Sequence, residues 1–274
     1  MLQLKNLSII ESLDALSRIP PGKILINTIN AHSYNTAQKD VLFAEALQNG
    51  DYLIPDGASI VKACRWLKAN SRPTERVAGW DLFEYEMRAP SGSPKGEGTV
   101  CEPRGTTCES GIESGGLKNG RRRVMFMGSS EKVLSFIRKR MSEVYPQWEV
   151  VTYSPPYKPE FSDEDNEAII SAINDADPDL LWIGMTAPKQ EKWAYANWDR
   201  LNIRCHVGTI GAVFDFFAGT YKRAPLWWQD HSLEWLYRLL KEPRRMWRRY
   251  LIGNALFLWN IMKEARAHPV SSPR

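Results

Sequence analysis

The chain has 274 residues, enough for one large domain or two small ones around a real core. Its 43% apolar and 25% charged content is ordinary for a globular enzyme, and a net charge of +4 is too small to name a partner. Four scattered cysteines (Cys64, Cys101, Cys108 and Cys205) exclude a disulfide scaffold and fit a reducing compartment.

The first 22 residues carry acids early and hold no continuous apolar run, so no signal peptide is expected there. Beyond them, apolar runs rich in branched residues alternate with helical patterns. Strands are predicted at 23–28, 51–54, 123–127, 148–153, 180–184 and 203–208. Helices are predicted near 36–48, 58–69, 130–143, 163–175, 188–198 and 211–218. This alternation implies an α/β fold: a mostly parallel, Rossmann-like sheet with helices on both faces.

Residues 89–122 break the pattern. Eight of the chain's 18 glycines fall in positions 91–120, with almost no large apolar residue among them. Such a stretch buries too little surface to offset ordering entropy, and it reads as a flexible insert.

After Gly219 the character changes again, which divides the chain into a catalytic unit, 1–219, and a helical appendage, 220–274. Between 221 and 250 stand eight cations (Lys222, Arg223, Arg238, Lys241, Arg244, Arg245, Arg248, Arg249) against Asp230, Glu234 and Glu242. Five of the eleven tryptophans lie between Trp227 and Trp259. Pro243 suits the first turn of a helix running to about Ala267. The longest apolar run, Tyr250 to Met262, has 13 residues, short of the roughly 20 that span a bilayer.

In open parallel sheets, ligands bind at the carboxyl ends of the strands. That rule selects Thr28 and Asn30 after the first strand and Asp56 after the second. It adds Gly128 after the third, Gly184 to Gln190 after the fifth, and Gly208 to Gly211 after the last. Asp56 fits either a helix N-cap or a general base at the mouth of the sheet. The glycines at 128, 208 and 211 fit tight turns, or backbone amides open to phosphate. Lys189 and Gln190 fit a solvated helix start or contacts to phosphate and sugar hydroxyls. Asp175-Ala176-Asp177-Pro178-Asp179 has D-x-D spacing but precedes a strand, so a turn is expected and no metal site.

The tail 234–249 reads EWLYRLLKEPRRMWRR, with Leu236, Leu239 and Leu240 forming an apolar stripe at helical spacing. A core-packed helix, a nucleic-acid face and a membrane-surface helix compete for it. Basic residues beside Trp, Tyr and Leu favour an anionic membrane surface, and no nucleic-acid partner is expected because no binding-fold signature accompanies the charge. On the residues alone, a nucleotide- or nucleic-acid-binding module without transferase activity stays open. An NAD-linked dehydrogenase is disfavoured by the missing G-x-G-x-x-G fingerprint.

Longer strings sharpen this. Thr28-Ile29-Asn30-Ala31, Asp51-Tyr52-Leu53-Ile54-Pro55-Asp56-Gly57 and Arg76-Val77-Ala78-Gly79-Trp80-Asp81-Leu82 are followed by Ala187-Pro188-Lys189-Gln190-Glu191-Lys192-Trp193. Then come Gly208-Thr209-Ile210-Gly211-Ala212-Val213-Phe214-Asp215-Phe216, Lys222-Arg223-Ala224-Pro225, Glu234-Trp235-Leu236-Tyr237-Arg238 and Pro243-Arg244-Arg245. With these strings the chain resembles the WecG/TagA/CpsF family of bacterial glycosyltransferases over nearly its whole length outside the insert. The resemblance implies an inverting, metal-independent transferase that uses a UDP-sugar, needs no cofactor and acts on polyprenyl-diphosphate-linked sugars in cell-envelope or exopolysaccharide assembly. It implies a cytoplasmic protein, peripheral on the inner face of the plasma membrane, whose appendage completes the active site. By the same resemblance Asp56 is the catalytic base and Thr28 its polar partner. Arg76 and Gln190 contact donor diphosphate or substrate, and Arg238, Arg244, Arg245, Arg248 and Arg249 belong to the appendage. The chain departs from the family at Ile29, where Pro is usual, and at Met185-Thr186, where Gly is usual. It also departs at Ser154-Pro155-Pro156-Tyr157, where Gly-Tyr is common. These departures bear on the identity of the donor sugar.

Overall fold

The computed structural model describes residues 2–88, 121–225, 227–228 and 233–267, with the side chain of Arg245 also outside the description. The expected insert, apart from its last two residues, and Cys101 and Cys108 lie outside the described residues.

Six strands form one all-parallel sheet: β1 (Ile24–Ile29), β2 (Tyr52–Pro55), β3 (Arg122–Gly128), β4 (Trp148–Tyr153), β5 (Leu180–Gly184) and β6 (His206–Thr209). Their order is β2-β1-β6-β5-β3-β4. All five residues of β5 are buried, as expected for a central parallel strand covered on both faces. Period-two alternation then sorts the side chains. Ile26, Ile54, Val124, Phe126 and Trp182 join one apolar cluster, while Leu25, Met125, Leu181, Ile183 and Val207 join the opposite one.

The first cluster is covered by α4 (Gly79–Arg88), α5 (Glu131–Val144) and α8 (Gly211–Ala218). The second is covered by α6 (Asp163–Ala176) and α7 (Lys189–Ala196). A third cluster lies under α1 (Ala31–Ala37), α2 (Val41–Gln48) and α3 (Ala58–Leu67). The α/β architecture is therefore the expected one, with three local differences.

The helix expected at 36–48 is two helices, because Asp40 caps a fresh start by accepting from Phe43 N at 3.0 Å, while α1 begins earlier on an Asn30 cap. Strand β6 begins at His206 rather than 203, since pairing with Ile24 and Leu180 starts there. Helix α4 was not anticipated. Its buried positions (Gly79, Leu82, Phe83, Glu86, Met87) have helical spacing, but Gly and Glu occupy two of them and hide the apolar pattern. Glu86 is accommodated by His206, whose Nδ1 lies 3.0 Å from its carboxylate and whose Nε2 lies 2.8 Å from Pro20 O.

The C-terminal segment continues as α9 (Glu234–Lys241), α10 (Pro243–Trp247), a π-helical turn (Arg248–Ile252) and α11 (Gly253–Ala267). Pro243 opens this run and Ala267 ends its last helix. Helix α11 lies on α1 and gives Phe257 and Ile261 to the third cluster. Its Glu264 accepts from Leu4 N (3.0 Å), Lys5 N (2.7 Å) and Tyr34 Oη (2.6 Å). Asn35 Nδ2 donates to Gly253 O at 2.7 Å. The segment from 253 thus shares a core with the α/β unit. Among the described residues, no helix is long and apolar enough to cross a membrane.

Candidate active site

The carboxyl ends of β1 and β2 are locked in register: Thr28 pairs with Ile54, and Asp56 N donates to Ile29 O at 2.9 Å. Thr28 continues the Ile26 face of β1 past its apolar cluster, and Asp56 follows directly in the tight turn after β2. Val77 N donates to Pro55 O at 3.2 Å, which holds the Arg76 segment over the same face. Helix α4 follows at once, and its Gly79 packs against Ile210 and Val213 at the end of β6.

Asp56 is half-buried, and no hydrogen bond to either carboxylate oxygen is made among the described residues. Burial pushes its carboxyl above the usual range. Arg76 and Arg238 pull it down, while Glu234 and Asp81 oppose them. A carboxylate near cations but hydrogen-bonded to none among the described residues has lone pairs open to accept a proton. Asp81 is committed elsewhere, accepting from Ala78 N at 2.8 Å at the start of α4.

Helix α9 closes one side of this site. Arg76 Nη1 meets Glu234 Oε2 at 3.0 Å, and Arg223 Nε lies 3.7 Å from Glu234 Oε1. Burial alone would lower the Arg76 pKa, but its hydrogen bond to Glu234 and the charges of Asp56, Glu234 and Asp81 raise it. The Arg223 guanidinium stacks 5.5 Å from the Trp80 ring, and that of Arg238 lies 5.9 Å from Phe216. In the sequence Glu234 stands out only as a minority charge and as the start of one family string; its position between two arginines has no signature in a one-dimensional pattern.

The other expected residues divide by geometry. Asn30 caps α1: its Oδ1 accepts from His32 N and Ser33 N, both at 3.0 Å, and Ser33 Oγ accepts from Asn30 N. Gln190 turns inward. Its Oε1 accepts from Met185 N (3.1 Å) and Gly211 N (3.2 Å), and its Nε2 donates to Glu191 at 2.9 Å. With Gln190 only 4% exposed, its polar atoms brace the turns after β5 and β6. A Cβ at Gly211 would lie 2.0 Å from Met185 O, so only glycine lets these turns meet. At Gly128, φ is +118° and a Cβ would lie 2.4 Å from Gly184 O, again a packing demand. Gly208 is buried against the Trp182 ring.

Within the appendage, Arg238 reaches the Asp56 site electrostatically. Arg249 lies close enough to His32 to help burial depress that imidazole to about 4. Arg244 and Arg248 are exposed. The D-x-D stretch sits at the amino edge: Asp177 is the left-handed C-cap of α6, and Asp179 accepts from Arg123 N at 2.7 Å.

An open parallel sheet that brings a carboxylate and two guanidiniums together at its carboxyl edge places the chain among α/β proteins with a ligand site at that edge. The chain belongs to the glycosyl transferase WecG/TagA/CpsF family, whose sequence model matches residues 1–95 and 114–270. It is similar to the N-acetylglucosaminyldiphosphoundecaprenol N-acetyl-beta-D-mannosaminyltransferase of Bacillus subtilis strain 168, with 28% identity over 91% of this chain and 83% of the relative. Transferases of the same name from Bacillus spizizenii (26% identity; 88% and 80% covered) and Staphylococcus aureus MW2 (23%; 89% and 82%) are also similar. The protein is a glycosyltransferase of the hexosyl-transferring kind.

Proposed function

We propose that this glycosyltransferase moves an N-acetylhexosamine-type sugar from a UDP-sugar to a polyprenyl-diphosphate-linked acceptor, with inversion and without a metal, at the inner face of the plasma membrane. The relatives' names carry the acceptor class and the mannosaminyl group. The observation that carries the chemistry is Asp56, a half-buried carboxylate without a hydrogen-bond partner among the described residues, beside Arg76 and Arg238.

In this reading Asp56 takes the proton from the acceptor hydroxyl as that oxygen attacks the anomeric carbon, and the C–O bond to UDP breaks on the opposite face. Thr28, in the neighbouring strand, orients the acceptor hydroxyl. Arg76 faces the diphosphate, where a planar guanidinium can hold two oxygens at once. Arg238 adds positive charge as the leaving group becomes more anionic. Gln190 acts through the backbone, keeping the Met185 and Gly211 turns in place after β5 and β6. Asp56→Asn should lower turnover by roughly 10²–10⁴ with little change in donor KM, since it removes a base and leaves the binding groups. Retention of more than about a tenth of wild-type turnover would end the base assignment.

A further inference from the structure

Helix α7 carries a second inward-facing polar residue beside Gln190. Glu191 is 1% exposed; its Oε1 accepts from Gln190 Nε2 at 2.9 Å, and its Oε2 has no hydrogen-bond partner among the described residues. No basic group among the described residues offsets that burial, and the neighbouring Lys192 is paired with Asp40 at 3.0 Å. A carboxylate so placed costs stability. We propose that Glu191 is a positioning residue of the donor site: as an acceptor it fixes which way the Gln190 amide faces, and through the Gly211 turn it fixes the place of Arg76. This rests on Arg76 being a diphosphate contact.

An ionised Glu191 only accepts, and a protonated one keeps its carbonyl oxygen for the same bond, so the Gln190 amide must turn Nε2 toward it. Gln190 Oε1 then faces the other way and accepts from Met185 N at 3.1 Å and Gly211 N at 3.2 Å. With the amide reversed, Nε2 would confront both of those N–H groups, and the turns after β5 and β6 would lose the acceptor between them. There is little slack, since a Cβ at Gly211 would lie 2.8 Å from Gln190 Oε1. The Gly211 turn also seats α4. A Cβ at Gly79, the first residue of that helix, would lie 3.3 Å from Ile210 Cγ2 and 3.5 Å from Val213 Cγ2. Arg76 stands just before Gly79 in the chain, so a shift of the turn moves the segment that carries the guanidinium.

UDP binding by the full-length protein and its variants tests this. Glu191→Gln keeps the acceptor and drops the charge, so its Kd for UDP should stay within about twofold of wild type. Glu191→Asp keeps the charge but draws the acceptor back from Gln190, and Glu191→Leu removes it. Both should raise the Kd for UDP and the donor KM about tenfold, the effect of one lost hydrogen bond. Their kcat should change less than about threefold, because Asp56 is held by its own turn after β2. In both, the Gly211 N–H should exchange with deuterium faster than in wild type. Added to Gln190→Ala, Glu191→Leu should weaken UDP binding no further, since it acts through that amide. A merely structural Glu191 would leave UDP affinity the same in every folded variant. A requirement for its charge would spare Glu191→Asp and impair Glu191→Gln. Either result would overturn the proposal, and the contrast between Gln and Asp decides it even where Glu191→Leu does not fold. If the wild type did not bind UDP, the donor-site reading would fall together with this one; wild-type binding with indifferent variants overturns this proposal alone.

Discussion

Two carboxyls near the sheet's carboxyl edge are held above their usual range, and they differ in what they do. Burial raises Asp56, so the native state binds its proton more tightly than the unfolded chain. Activity that needs the carboxylate must therefore fall on acidification at a pH above the ordinary value of 3.8. The same sign predicts a cost to the fold at neutral pH: Asp56→Asn should lose activity yet melt no lower than the wild type. A clear drop in Tm would mean that Asp56 is anchoring structure. Glu191 is pushed up to about 7, is 1% exposed, and leaves Oε2 without a partner among the described residues. Its folded pKa exceeds the unfolded value of 4.5, so its contribution is fully present below pH 4.5 and is lost as pH rises through about 7. Glu191→Gln should then raise stability at pH 8 by up to ~3 kcal/mol, and should make no difference at pH 4, as urea melts at the two pH values would show. The places of Thr28 and Asp56 at strand ends were legible because strands can be located from apolar runs, whereas Arg76 stood out only through a family string. The inward turn of Gln190 was not, since an amide at a helix start looks the same in sequence whether it faces solvent or braces two turns.

At the level of elements, the C-terminal segment is bound into the fold by α11. Glu264 receives three hydrogen bonds, two from the N-terminal backbone and one from Tyr34. Glu264→Ala would leave three donors to find new partners and would open a space beside Tyr34, at a cost of about 3 kcal/mol in urea unfolding. A cost below ~1 kcal/mol would mean that the apolar face alone holds the helix. The strands were legible to within a few residues because β3 and β5 are continuous apolar runs, as central parallel strands must be. Helix α4 was not, because its buried Glu86 depends on His206, a partner 120 residues away. Nor was the sharing of a core by α1 and α11, because a basic, Trp-rich stretch advertises its outer face and hides the few positions, Phe257 and Ile261, that face inward.

For the whole molecule, the question is what the outer face of that segment meets. Trp235, Leu240, Trp247, Leu251, Ile252, Leu258 and Trp259 are all at least 36% exposed, and Arg244 and Arg248 stand among them. Large apolar groups beside cations suit the headgroup region of an anionic bilayer. That is where a polyprenyl-linked acceptor would lie. Cutting the chain at Gly219 would be a poor test, because it also removes Phe257, Ile261 and Glu264 from the core. Surface substitutions separate docking from folding. Arg244→Gln with Arg248→Gln removes two cations, each worth about 1 kcal/mol near an anionic surface, so partition onto phosphatidylglycerol vesicles should drop roughly 30-fold. Trp247→Ser with Trp259→Ser should weaken binding to anionic and neutral vesicles alike, since it removes apolar area rather than charge. Raising the salt should mimic the arginine pair and spare the tryptophan effect. If all four substitutions left sedimentation with vesicles unchanged while Tm stayed constant, the exposed face would serve some other contact, and the acceptor would have to reach Asp56 from another side.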